Sequence, residues 1–166
     1  MPMAKQRPDV PADIEQYLIG LYAQAGRVGG SLGARGVGGG AGAVGASFSA
    51  RRMRTKVEEH AGQVPGTVSE VAARLAAAFP RGERLPAADR LRLAVPVGPM
   101  GLQQIVLDAE LYPAGPAMSH VRLRGFGKEG LINRHPTKTV TDQAWAALLG
   151  GVQPGAAWQA PGQPQR

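Results

Sequence analysis

Residues 91–124 read LRLAVPVGPMGLQQIVLDAELYPAGPAMSHVRLR, and the alternation within them decides the fold. Leu91, Leu93, Val95 and Val97 alternate with Arg90, Arg92, Ala94 and Pro96. Ile105, Leu107, Ala109 and Leu111 alternate with Gln104, Val106, Asp108 and Glu110, and Val121 and Leu123 with His120, Arg122 and Arg124. Successive side chains of a strand point to opposite faces, so a period of two gives strands with one apolar and one charged face. Gly98-Pro99 and Pro113-Ala-Gly-Pro116 punctuate the runs as turns. The stretch predicts an antiparallel meander with one wet face.

Helical patterns flank the meander. Upstream, Thr67-Val-Ser-Glu70 has the form of a capping box, in which the Thr hydroxyl and the Glu carboxylate each serve the other's amide. Val68, Val71, Ala72, Leu75 and Phe79 follow at helical spacing, and Pro80 stops them. Before that box, residues 53–60 (MRTKVEEH) read as an edge strand and Pro65-Gly66 as a turn. Downstream, Val140, Ala144, Trp145, Leu148 and Leu149 form a last helical stripe closed by Gly150-Gly151, with a kink or restart expected at Pro136. The predicted fold is α+β: an antiparallel sheet in β-α-β-β-β-α order with both helices on its apolar face.

Three zones divide the chain. Residues 1–50 hold a short helix and a glycine tract, 51–150 the α+β domain, and 151–166 a Pro/Gly/Gln-rich tail expected to be disordered. The first helix starts at Asp13 and carries Ile14, Tyr17, Leu18, Leu21 and Tyr22 on one face; Gly26, Gly29 and Gly30 are expected to end it. So short a helix is marginal alone. Tyr17, Leu18 and Leu21 are therefore its interaction face, whether for the main domain, a second copy or a membrane surface. Glycine then recurs at 30, 33, 36, 39, 42 and 45. The tract reads as a flexible, low-complexity linker rather than a small-residue helix, given the cost of glycine in helices.

The chain has 166 residues and no cysteine, which excludes disulfides, a thiol nucleophile and any Cys-ligated metal. No run of about 18 apolar residues occurs, excluding a conventional transmembrane helix. Asp9, Pro11, Asp13 and Glu15 interrupt any export signal, so a cytoplasmic location is expected. The net charge of +7 suggests attraction to nucleic acid or an anionic surface. Its one tight cluster is Arg51, Arg52, Arg54 and Lys56, which holds no aromatic residue to stack on a base.

Candidate chemistry is sparse. Asp108, Glu110 and His120 share the charged face with Arg92, Arg122 and Arg124, as either an acid–base set or cross-strand ion pairs; the ion-pair reading is preferred. His60, His120 and His135 stand at no metal-ligand spacing, so neither a metal nor a cofactor is expected. Gly125-Phe-Gly127-Lys128-Glu-Gly130 matches G-x-G-x-x-G but has no βαβ unit around it.

The segment from Gly125 to Leu149 is the most distinctive, and its Lys128-Glu-Gly-Leu-Ile132 run resembles a small bacterial α+β domain family of unassigned function. That resemblance spans residues 53–150 and implies a fold but no catalytic residue. Lys128, Glu129, Asn133, Arg134 and His135 sit where the last strand hands over to the last helix, as candidates for a ligand or partner or for a structural junction. The sequence thus predicts a non-enzymatic module that binds a protein partner or an apolar small ligand, or self-associates. The alternatives are a basic adaptor for nucleic acid or an anionic membrane, and an enzyme using the Asp108/Glu110/His120 face.

Overall fold

A computed structural model describes residues 9–33, 48–98, 103–128 and 135–150. The expectations placed on the glycine tract after residue 33, on Glu129, Asn133 and Arg134, and on the tail 151–166 lie outside the described residues. Helix α1 (Ala12–Gly33) comes first, and a helical turn over 48–52 leads into β1 (Thr55–Pro65). Then follow α2 (Val68–Ala78), β2 (Glu83–Leu85), β3 (Leu91–Val97), β4 (Gln103–Gly115), β5 (Met118–Lys128) and α3 (Pro136–Leu148). The strands form one five-stranded sheet in the order β1-β5-β4-β3-β2, with every pair antiparallel.

The alternating residues build the core as expected. Register sets Leu93 opposite Leu107 and Ala109 opposite Leu123, so the apolar side chains form rows across one face. Val71, Leu75 and Phe79 of α2 and Val140, Ala144 and Leu148 of α3 close over those rows. The capping box starts α2: the Thr67 amide donates to Glu70 Oε2 at 2.7 Å, and the Glu70 amide donates to Thr67 Oγ1 at 3.4 Å. Gly66 makes the preceding turn at φ 109°, a conformation that glycine adopts without steric cost.

Several boundaries differ from the sequence reading. A fifth strand, β2, is only three residues long and carries Glu83 and Arg84, so no periodicity announced it. The G-x-G-x-x-G match is not a phosphate loop in its first half: Gly125 and Gly127 lie within β5. Of the kink or restart expected at Pro136, the structure has the restart: Pro136 occupies the first turn of α3, where its missing amide costs nothing. Helix α1 starts one residue before Asp13 and runs through Gly26, Gly29 and Gly30 to Gly33. Once a docked segment has nucleated a helix, propagation tolerates glycine at about 1 kcal/mol each.

The largest correction concerns the wet face. Ile14 and Leu18 of α1 are buried against Val106 and Phe126, with Val57, Leu85, Tyr17 and Leu21 at the margin. Val106 falls in the charged phase of β4, and Phe126 lies beyond the run read as the last strand. Together they give one end of that face an apolar patch, which α1 covers. The helix therefore docks on its own domain, and the Leu18 side of its interaction face is consumed there.

Candidate functional site

On the α1 side of the sheet, past the apolar patch, Asp108 occupies the centre of a charged band. Arg92 on β3 and Arg124 on β5 lie directly opposite it in register. Arg92 Nε donates to Asp108 Oδ1 at 2.8 Å, Arg124 Nη2 to Oδ2 at 2.9 Å, and Arg90 Nη1 to Oδ2 at 3.4 Å. Glu110 accepts from the same Arg90 at 3.0 Å and from Arg124 at 3.3 Å. Asp108 is fully buried (0% exposed), and both its oxygens accept from guanidinium groups. Neighbouring carboxylates raise the pKa of Arg90, with the hydrogen bond to Asp89 the largest cause.

His120 does not join this group. It sits opposite Tyr112, with Gln63 Nε2 3.5 Å from its Nε2, at the far end of the face. Tyr112 lies four positions beyond Asp108 along β4, roughly 13 Å at strand rise. Asp108, Glu110 and His120 therefore do not converge on one reacting atom.

The handover from β5 to α3 is divided. Lys128 is 1% exposed, with its ammonium bound to Glu15 in the first turn of α1 and donating to the Met53 carbonyl at 3.1 Å. Thr55 Oγ1 donates to the other oxygen of Glu15. The Lys128 carbonyl accepts from Tyr22 Oη at 3.1 Å and from Gln103 Nε2 at 3.0 Å. Lys128 thus joins α1, the link between the 48–52 turn and β1, and β5, and it is almost wholly buried. His135 precedes α3 at φ 45° with no side-chain capping bond and is exposed.

The basic cluster is laid out differently. Arg51, Arg52, Arg54 and Lys56 are all exposed, and none forms an ion pair with a described residue. Phe48, 55% exposed, lies under Arg52, whose Cζ is 4.4 Å from the ring centroid. An aromatic residue does therefore accompany the cluster, contrary to the reading confined to residues 51–56. The signal was present in the sequence: Phe48 and Arg52 stand at i and i+4, adjacent on one helical turn.

Against the other face, α3 lies close on β5. A Cβ added at Gly125 would overlap Thr141 Oγ1, and one at Gly127 would meet Thr137 Oγ1 and Ile105 Cδ1 at 2.5 Å. On the outer side of this seam, His60 stacks on Trp145 with ring centroids 5.5 Å apart, and its Nε2 lies 2.8 Å from Asp142 Oδ1. Lys138, and then His60, hold the Asp142 carboxyl below its ordinary range. Among the described residues no group of three or more His, Asp or Glu stands together to hold a metal ion, and no helix is long and apolar enough to cross a membrane. No protein-family model matches the chain, and a search of curated proteins found no match.

Proposed function

We propose that the chain is a non-enzymatic binding or assembly module that meets a protein partner or a second copy through its outer surface. The observation that supports this best is the state of Asp108. A general acid or base needs a free lone pair or proton within reach of substrate, and Asp108 is enclosed by Arg90, Arg92 and Arg124. The close approach of Thr137 and Thr141 to Gly127 and Gly125 also leaves no room for an apolar ligand along that stretch of the α3–β5 seam. Large apolar side chains do remain outside, at Phe48, Tyr112 and Leu149. Aromatic side chains such as Phe48 and Tyr112 are enriched at the cores of protein interfaces.

Lysine-directed cross-linking in intact cells, read by mass spectrometry, tests the reading. Exposed Lys138 and Lys56 are expected to yield cross-links to a second copy or to another protein. Exclusively intramolecular cross-links at both would overturn it.

A further inference from the structure

The chain's basic charge is not spread evenly in its pairing. On the sheet, Arg90, Arg92, Arg122 and Arg124 are each matched by a carboxylate, so that face is close to neutral in its contacts. Arg51, Arg52, Arg54 and Lys56 have no such match among the described residues.

The turn and the start of β1 that carry them are also fixed in place. Ala50 is buried, the Met53 amide donates to the Ser49 carbonyl at 3.0 Å, and the Met53 carbonyl accepts from buried Lys128. Thr55 is tied to Glu15. Ala50, the Met53 backbone and Thr55 thus anchor the segment, and the four cations are exposed on it. Beside them the Arg52 guanidinium lies on the exposed Phe48 ring. Together they form a ledge with a π-face and a positive charge.

We infer that the surface formed by Phe48, Arg51, Arg52, Arg54 and Lys56 binds single-stranded nucleic acid. The cations contact successive phosphates while an unpaired base stacks on the Phe48–Arg52 ledge. The inference goes beyond the protein-binding reading and adds a second class of partner to it. Arginine planes and aromatic rings both accept bases, whatever the base, which makes the contact sequence-tolerant. A duplex offers phosphates but no free base face. A membrane surface would need an apolar helix face to sink into the headgroups, and this turn exposes one large apolar side chain, Phe48.

Fluorescence anisotropy of a labelled short oligouridylate titrated with the full chain tests it. The affinity is expected to fall steeply between about 50 and about 200 mM salt, with a log–log slope near −3 for contacts at about −0.7 each. Arg51→Ala with Arg54→Ala should weaken binding at least about tenfold and flatten that slope by about 1.4. Phe48→Ala should weaken binding about tenfold with the slope unchanged, and Phe48→Tyr should retain it. All these side chains are exposed, so circular dichroism should be unchanged in each variant. Absence of binding at the lower salt, indifference to Phe48→Ala, or equal affinity for duplex or anionic phospholipid vesicles would overturn the inference. If binding is absent while cross-links to protein persist, this inference falls and the binding-module reading stands.

Discussion

The carboxylate of Glu15, in the first turn of α1, holds the ammonium of Lys128 at the last residue of β5, joining positions separated by 113 in the chain. Lys128 is buried while Glu15 keeps partial exposure, so the lysine depends on the helix for its neutralisation. This contact makes α1 part of the domain, although a long glycine-rich tract lies between them in sequence.

Breaking that pair should be costly in a particular way. Removing one partner of a buried pair leaves the other charge unsatisfied, at about 3–5 kcal/mol. Glu15→Ala should lower the stability measured by urea unfolding by that order, discounted for the exposed side of the carboxylate. Glu15→Leu combined with Lys128→Met should recover most of the loss, because apolar groups of similar volume leave no buried charge.

The seam between α3 and β5 predicts a compensating pair. Gly125→Ala places a methyl group on Thr141 and should cost about 1–3 kcal/mol, as overpacked cores do. Thr141→Ala in the same chain removes the offending hydroxyl and should restore most of that stability. Thermal unfolding of the two single variants and the double variant measures the coupling.

Truncation of Leu18 tests the cover on the second face. Leu18 is buried against Val106 and Phe126, and Leu18→Ala should cost about 2–5 kcal/mol, with undocking of α1 as the upper limit. Amide exchange should then rise along the first turns of α1 while the sheet stays protected. Unchanged exchange in α1 would show that the helix is held by its polar contacts alone.

Acid should loosen the same helix. A hydrogen bond from Arg92 holds the Asp13 carboxyl below its ordinary value of 3.8. A carboxylate with a lowered folded pKa contributes stability above its unfolded pKa and loses it as pH falls through the folded one. Exchange protection of α1 should therefore be fuller at about pH 5 than at about pH 3, and Asp13→Asn should shrink the difference.

Much of this fold was legible because burial follows the pattern that sequence displays. Leu91 to Val97 and Ile105 to Leu111 revealed their faces through period two, and Thr67 with Glu70 revealed a helix start through chemistry local to four residues. Features set by contact across the chain were hidden. Gly125 and Gly127 looked like half of a nucleotide loop because nothing local says that Thr141 and Thr137 will press on them. Lys128 was placed at the right junction, but its partner Glu15 lies in another zone of the chain, and no spacing rule connects the two. Phe48 belongs to the basic cluster only through its helical spacing to Arg52, a link that the run of basic residues beginning at Arg51 does not display. Ion pairing in the charged band is legible from the alternation, but its burial is not, since that depends on neighbouring strands bringing Arg90, Arg92 and Arg124 around one aspartate.

Native mass spectrometry of the full chain, isolated gently from cells, tests the central claim most directly. The account predicts the 17.3 kDa chain in complexes with a macromolecule, whether a second copy or a different partner, and without a stoichiometric small organic molecule. A monomer that retains one small organic molecule per chain would contradict it, because the interior would then be the working site and the surface a bystander.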